Sequence, residues 1–412
     1  MRREIELLRT NPALRRLWLA GVVSQAGDWM SYVAVSLLAL DRGTGAVDVA
    51  LVLVLHVLPK ALLSPVSGVL ADRIDRRRLL IAAACAAAVI TAGMAWAAAL
   101  GSLFAVQVLL VMRTSVEALA EPARTAAVGQ LVERDELIAA NSALAASWSV
   151  MFTLGMGLGG LLASFGVEIA MVVDVLTFVA AAGLLLGLPR LPAAITPAGA
   201  DHPAIARSLA QGWRASGRHR GLRRAVMAKA PLALAGGAAW IVMNVEATLH
   251  TGIASAAVAL GLMHSVRGIG TGIGPLLASH WVGTGRRLAP MWWGLNVASL
   301  FGMLLFLGSG SLALVVVSML IWGAGTGGNW VVAHTRLQAL APSEVIGRVA
   351  ALDELLSVSA MSVGALAIGL AIDCGMASTW PTVGVIALGF IAWIAVAPPL
   401  WPTDSPRVRP VS

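Results

Sequence analysis

The sequence is dominated by apolar stretches that are long enough to cross a lipid bilayer as helices. A hydrocarbon core of about 30 Å calls for about 20 apolar residues in a helix. Because 58% of the 412 residues are hydrophobic and 12% are charged, a water-soluble fold would have too little polar surface. We therefore predict an all-α membrane protein with twelve transmembrane helices, at residues 16–40, 47–70, 79–100, 102–121, 139–164, 169–188, 224–248, 254–279, 289–308, 311–334, 349–371 and 380–400.

The positions of the basic residues account for the formal net charge of +8. If both termini are cytoplasmic, the arginine clusters between the predicted spans all fall on the cytoplasmic side, and only Arg42 lies in an outer loop. This asymmetry is the positive-inside pattern, and it leaves no basic surface for a nucleic-acid partner. No cleavable signal peptide is evident. The basic residues are arginines apart from Lys60 and Lys229, which is typical of GC-rich bacterial genomes, so we expect the bacterial inner membrane.

One polar segment divides the predicted spans into two groups of six. Residues 189–222 lose hydropathy and gain Pro, Gly and Arg, as linkers do. A faint repeat supports the division, because residues 130–137 after the fourth span parallel residues 338–345 after the tenth. We expect an N-terminal six-helix bundle at 1–188, a cytoplasmic linker at 189–222 and a C-terminal six-helix bundle at 223–412. Parallel repeats of this kind hold their substrate between the halves, near the bilayer midplane.

A charged loop between the second and third predicted spans carries a family resemblance. It reads Gly-Val-Leu-Ala-Asp-Arg from Gly68 to Arg73 and continues into a basic cluster that includes Arg76. The loop resembles the signature loop of the major facilitator superfamily, and the resemblance implies a gating role for these residues. Asp72 can accept hydrogen bonds from an arginine such as Arg124 or from a helix N-terminus, which would lock one alternating-access state. The alternative is that the arginines only keep this loop in the cytoplasm.

The resemblance covers nearly the whole chain and is sharpest toward the drug:proton antiporter branch, which includes macrolide-efflux and enterobactin-export proteins. It is carried by residues 55–78, by Arg113 with residues 122–137, and by residues 329–349. One motif departs from the pattern. Antiporters of the superfamily often carry Gly-Pro-x-x-Gly-Gly in the fifth span, and here Met156 takes the place of the proline. The kink that proline favours is lost, so the sequence supports transport more strongly than antiport.

Several ionisable residues lie inside predicted spans of the first half, and four of them are candidates for proton coupling or buried charge. A charge at mid-bilayer costs at least ~2.5–3.5 kcal/mol on insertion scales, so each needs a partner, water or a function. Asp28, halfway along the first span, is the first candidate for proton coupling, with a structural ion pair as the alternative. We expect Lys60 to pair with Asp28. Arg113 and Glu117 lie four residues apart on one helical face, so they either neutralise each other or take part in coupling.

Aromatic and polar residues within the spans are candidates for a substrate cavity. Flat apolar walls beside an acid suit a lipophilic cation or an amphipathic molecule, whereas the same residues packed against lipid or helices would carry no information about substrate. Arg267 either presents positive charge to an anionic substrate or pairs with Glu246. Asp174 is expected to be structural, and the lone histidines are expected to be ordinary polar residues. The cavity candidates are Trp29, Tyr32, Trp148, Trp240, Arg267, Asn329 and Trp330.

No nucleotide-binding loop, zinc-ligand spacing or nucleophile elbow occurs in the sequence. We therefore expect no enzyme, no ATP-driven pump and no metal or other cofactor. The prediction is a monomeric secondary transporter that exports a small amphipathic or drug-like compound by alternating access, in antiport with protons. Two alternatives stay open: a lysophospholipid flippase, and a membrane sensor or assembly factor that keeps the fold without transport.

Overall fold

The computed structural model describes residues 2–133, 135–193, 210, 212–214, 216–217, 220–283, 288–342 and 345–397. The regular structure in these ranges is α-helical. The first half contains seven described helices: α1 (Arg2–Thr10), α2 (Pro12–Arg42), α3 (Ala46–Arg73), α4 (Arg76–Ala99), α5 (Leu103–Leu131), α6 (Leu137–Ala163) and α7 (Val167–Leu186).

The second half contains eight described helices. A short basic helix, α8 (Arg220–Met227), comes directly before the first long one, α9 (Ala230–Val245). The others are α10 (Ala247–Thr251), α11 (Ala256–Gly283), α12 (Leu288–Leu307), α13 (Leu312–Leu340), α14 (Ile346–Asp373) and α15 (Thr379–Val396).

Helix length and composition support a protein that crosses the membrane many times. Among the described residues, ten segments are long and apolar enough to span a bilayer; they lie in α3 to α7, in α8 with α9, and in α12 to α15. Large apolar side chains such as Val89, Phe104 and Trp380 are more than 70% exposed, as expected of surfaces that face lipid. Helices α2 and α11, with 31 and 28 residues, are also long enough to span, although they are not among the ten segments; they carry the charged residues Asp28 and Arg267.

The chain forms two compact units. The N-terminal unit comprises Met1–Gly43 and Leu51–Ile205, and the C-terminal unit comprises Thr44–Ala50 and Ala206–Ser412. Residues 44–50 belong to the C-terminal unit, where the Asp373 carboxylate accepts hydrogen bonds from the backbone N–H groups of Ala46 and Val47 at 2.6 and 3.0 Å. Both units share one packing pattern. In the N-terminal unit α2 packs against α6 and α7, and in the C-terminal unit α9 packs against α14 and α15.

Glycines bring α6 against α2 at the motif that lacks its proline. A Cβ atom on Gly155 would lie 2.7 Å from the Ala26 carbonyl oxygen, and one on Gly159 would lie 2.7 Å from the Met30 Cα. Real Cβ atoms do not approach so closely, so only glycine permits this backbone contact. Helix α6 continues through Met156 to Ala163. The motif therefore fixes the position of α2, the helix that carries Asp28.

Candidate functional site

A buried ion cluster lies inside the N-terminal unit, and Arg113 of α5 is at its centre. The Arg113 side chain is fully buried and donates hydrogen bonds to two carboxylates, to Asp28 Oδ1 on α2 at 2.5 Å and to Asp174 Oδ2 on α7 at 2.8 Å. Asp174 also accepts from Ser31 Oγ at 2.5 Å and from Thr177 Oγ1 at 3.1 Å. These bonds tie three helices together through one guanidinium.

Two further ionisable residues, Lys60 and Glu117, extend the cluster. Lys60 Nζ on α3 lies 2.9 Å from Glu117 Oε2 and 3.5 Å from Asp28 Oδ2. The ion pair between Lys60 and Asp28 that the sequence predicts is therefore present, and the predicted contact of Arg113 with Glu117 is present at 3.7 Å. The side chains of Lys60 and Glu117 are 37% and 20% exposed, so this edge is accessible while Arg113 is not.

An aromatic cluster adjoins the ion cluster. Trp29 directly follows Asp28 in α2, and its ring lies 4.8 Å from Phe152 and 6.1 Å from Trp148, both on α6. Tyr32 packs edge-on against Trp29 at 6.0 Å. The cavity candidates Trp29, Tyr32 and Trp148 thus form one group beside the acid, and Trp148 is 42% exposed.

His56 joins the two clusters. Its ring lies 5.1 Å from Trp29, and its Nε2 lies 3.6 Å from Asp28 Oδ2. From the sequence, His56 is expected to be an ordinary polar residue, whereas the structure places this buried imidazole between the acid and the aromatic rings.

The C-terminal unit contains a buried ion pair that is not predicted from the sequence. Lys229 Nζ, just before α9, lies 2.5 Å from Asp353 Oδ2 on α14, and both side chains are at most 2% exposed. The Lys229 ammonium also sits 4.3 Å from the centroid of the Trp330 ring. These residues, with His334 and Glu354, line a cavity of about 270 Å³. The Oδ1 atom of Asp353 is buried and has no hydrogen-bond partner.

The remaining cavity candidates of the C-terminal unit lie in two other places. Arg267 on α11 stacks between aromatic faces, 4.1 Å from the Trp240 ring centroid and 5.2 Å from that of Trp322. Asn329 is 1% exposed, and its Oδ1 accepts a hydrogen bond from Trp292 Nε1 at 2.5 Å. Asn329 is therefore engaged in helix packing, whereas Arg267 and Trp240 form a cationic aromatic group.

The predicted alternative partner of Arg267, Glu246, is engaged elsewhere. Glu246 lies between α9 and α10, where its carboxylate accepts from Ser378 Oγ at 2.5 Å and contacts His250 Nε2 at 3.2 Å. The hydrogen bond from His250 holds the pKa of Glu246 below its ordinary 4.5 against the effect of burial. Burial alone would lower the pKa of His250, but the hydrogen bonds to Glu246 and Ser309 outweigh it and raise that pKa above 6.5.

The His250 contact predicts a pH-dependent stability. A raised folded pKa means that the contribution is complete below the unfolded value and is lost as pH rises through the folded value. We expect the unfolding temperature of the purified protein to fall as the pH rises above the ordinary histidine value of about 6.5 and through the raised folded value, with a smaller slope in His250→Gln. The matched control is His280→Gln, an exposed histidine in the last turn of α11. An unchanged slope in His250→Gln would contradict the prediction.

The signature-loop residues are described in part. Helix α3 ends at Arg73, which is exposed, and α4 begins at Arg76. Arg76 is buried; its backbone N–H donates to the Leu191 carbonyl at 2.9 Å, and its guanidinium donates to the Pro192 carbonyl. Arg124 on α5 lies 3.6 Å from Glu121. The surroundings of Gly68 and the side chain of Asp72 lie outside the part of the chain that the structure describes.

These helices and buried ion clusters define a polytopic membrane protein of the transporter class. The sequence model of the Major Facilitator Superfamily matches residues 17–352, and the chain belongs to that superfamily. Its family and fold are those of small-molecule transporters rather than of enzymes.

Sequence relatives and solved structures agree with this assignment. An uncharacterized MFS-type transporter y4rN of Sinorhizobium fredii is 26% identical over 95% of this chain and 96% of its own length. Another, YfiS of Bacillus subtilis, is 28% identical over 45% of each chain, so this match spans less than half of that relative. The nucleoside transporter NupG has a similar fold, with a TM-score of 0.72, 11% identity and coverage of 93% of this chain and 98% of its own. A bacterial homolog of the human lysosomal transporter Spinster has a similar fold too. Its TM-score is 0.71, its identity is 14%, and the match covers 93% of this chain and 95% of its own.

Proposed function

We propose that this protein exports a small lipophilic or amphipathic cation in exchange for protons, as a monomeric multidrug efflux antiporter of the bacterial inner membrane. The observation that carries the proposal is the buried cluster in the N-terminal unit. Among the described residues of this cluster, three carboxyl groups, Asp28, Glu117 and Asp174, surround two permanent cations, Lys60 and Arg113. One negative charge therefore lacks a fixed counter-charge, and either a proton or a substrate cation can neutralise it. Because the proton and the substrate cation compete for the same negative charge, binding of one releases the other.

The geometry supports separate roles within the cluster. Asp28 contacts Arg113, Lys60 and His56 at once, so its charge affects every other member, and we assign it the exchanged proton. Glu117 and Lys60 are partly exposed and form the entrance for that proton. Arg113 is fully buried and holds the acids in place.

The aromatic cluster supports the substrate class. Tryptophan faces bind cations and flat apolar groups. Trp29 directly follows Asp28 in α2, and its ring packs against that of Trp148. We propose that Trp240, Arg267 and Trp330 of the C-terminal unit also contact the substrate, and that Asn329 supports the packing of the helices in that unit. Alternating access then moves two bundles, 1–188 and 223–412, joined by a cytoplasmic linker at 189–222. In this proposal both termini are cytoplasmic and all twelve predicted spans cross the bilayer. The proposed gating residues are Gly68, Asp72, Arg73, Arg76 and Arg124.

The test is uptake of ethidium, a lipophilic cation, by proteoliposomes with an imposed pH gradient. The wild type is expected to accumulate the dye in acidic vesicles, and Asp28→Asn is expected to lower the gradient-driven rate at least tenfold, the scale of about 1.4 kcal/mol. The matched control is Asp41→Asn, an acid of the same helix whose side chain is 73% exposed; it is expected to transport normally.

Other results would redirect the assignment. Movement of lysophospholipid without a proton gradient would indicate a flippase. A partner that copurifies stoichiometrically while every transport assay is silent would indicate a sensor or an assembly factor. Full gradient-driven uptake by Asp28→Asn would refute the coupling role of Asp28.

A further inference from the structure

A strongly basic cavity lies in the C-terminal unit, between α8 and the end of α15. Its volume is about 410 Å³, and it is lined by Trp213, by Arg220, Arg223 and Arg224 of α8, and by Ala395 and Val396 of α15. None of the described residues that line it is acidic. The cavity therefore carries three positive charges in a volume typical of small-ligand sites, about 300–1,000 Å³.

The sequence of α8 explains why the arginines face this cavity. Leu222, Ala225 and Val226 recur at helical spacing and are buried in a core with Leu337 and Val349. The arginines occupy the opposite face, at positions 220, 223 and 224, and all three are exposed. Burial of the apolar face thus fixes the basic face in one direction.

The cavity lies close to the membrane surface. Helix α8 directly precedes the long apolar helix α9, and together they form one candidate span from Arg220 to Val245. The cavity therefore lies where that span begins, at the membrane–water interface. Tryptophans are typical anchors at this interface, and Trp213, which lines the cavity, is 49% exposed. The concentration of arginine at this end indicates the cytoplasmic face.

An apolar stripe on α15 leads from the cavity along the helix. Leu388 and Ile391 are 57% and 64% exposed, and they share a helical face with Ala395, which lines the cavity. A molecule with a phosphate group in the cavity and acyl chains on this stripe would match both surfaces.

We propose that this cavity binds the headgroup of an anionic phospholipid of the inner leaflet. Guanidinium groups bind phosphate oxygens through paired, charge-assisted hydrogen bonds, and basic pockets beside transmembrane helices favour anionic headgroups. The apolar stripe favours a membrane lipid over a soluble phosphate. This site is independent of the transport proposal, because it uses none of the residues of the ion cluster.

The test uses the purified, delipidated full chain in a neutral detergent. Native mass spectrometry counts bound lipid, and the unfolding temperature is titrated separately with dioleoyl phosphatidylglycerol, dioleoyl phosphatidylcholine and inorganic phosphate. We expect saturable binding and a rise in unfolding temperature with phosphatidylglycerol alone. The variant R220Q/R223Q/R224Q is expected to bind at least tenfold more weakly, and R220K/R223K/R224K is expected to retain much of the affinity.

The matched control removes the same charge from exposed arginines of the N-terminal unit, as R9Q/R15Q/R78Q. If this control loses lipid as strongly as the α8 variant, net charge rather than the cavity explains binding and the proposal fails. It also fails if phosphatidylcholine binds equally well, or if inorganic phosphate alone saturates the response. Should R220Q/R223Q/R224Q not fold, R223Q alone is measured, and unchanged binding in that variant would also overturn the proposal.

Discussion

Replacement of Arg113 with glutamine is expected to abolish transport and to destabilise the protein by about 3–5 kcal/mol, the cost of removing one partner from a buried ion pair. The guanidinium is fully buried and bonds to both Asp28 and Asp174. Without it, the hydrogen bonds that the described residues donate to the buried Asp174 carboxylate would come from the hydroxyl groups of Ser31 and Thr177. The measurement is the unfolding temperature of the purified protein, together with dye uptake by proteoliposomes.

Two further variants separate stability from transport at this position. Arg113→Lys keeps the charge but loses the fork that reaches two carboxylates at once, so we expect intermediate stability. Arg113→Gln combined with Asp174→Asn removes the stranded charge and is expected to recover much of the lost stability. Transport should remain absent in that pair if the guanidinium acts on Asp28. Arg15→Gln, an exposed arginine of α2, is the control, and a wild-type unfolding temperature in Arg113→Gln would contradict the prediction.

Hydropathy predicts the helices well where they are apolar. The predicted spans 79–100 and 169–188 correspond to Arg76–Ala99 and Val167–Leu186. The ends are less accurate where a helix continues beyond its apolar part. Helix α5 extends to Leu131 rather than 121, and α13 extends to Leu340 rather than 334. Hydropathy marks the part of a helix that suits lipid, and backbone hydrogen bonding continues past it.

The sequence predicts two contacts of the ion cluster: the local pair of Arg113 and Glu117, and the pair of opposite charges, Lys60 and Asp28, on consecutive predicted spans. Arg113 and Glu117 are four residues apart, and helix geometry brings them together. The shortest contacts of Arg113 are with Asp28 and Asp174, which are 85 and 61 positions away. Those contacts depend on how α2, α5 and α7 pack, and an amino-acid pattern does not contain that information. The Gly159 contact with Met30 on α2 is one of the packing features that determine it.

The pair of Lys229 and Asp353 is missed although each residue is conspicuous in the sequence. Both residues lie within predicted spans, 224–248 and 349–371, so the rule that an ionisable residue inside a span requires a partner applies to them as it does to Asp28. The sequence therefore contains a signal for each residue separately. The two residues face one another because α9 packs on α14, and the amino-acid pattern does not contain that packing.

Replacement of Lys229 with methionine is expected to produce the largest loss of stability in the C-terminal unit, again about 3–5 kcal/mol by the cost of an unpaired buried charge. Asp353 is 1% exposed, and its Oδ1 already lacks a hydrogen-bond partner. After the substitution its other oxygen would lose the contact to Lys229 at 2.5 Å. The unfolding temperature should fall sharply in Lys229→Met and less in Glu354→Gln, whose carboxylate is 45% exposed and 3.9 Å from the ammonium.

The double variant decides whether this pair serves only the fold. Replacing a buried ion pair by apolar residues of similar size is often neutral or stabilising, so Lys229→Met with Asp353→Leu should unfold near the wild-type temperature. If that stable variant transports dye at the wild-type rate, the pair is structural. Loss of transport with stability retained would assign the 270 Å³ cavity, with Trp330 beside the ammonium, to the transport pathway. If the double variant is no more stable than Lys229→Met, the stranded carboxylate is not the cause of the loss, and the electrostatic account of this pair is wrong.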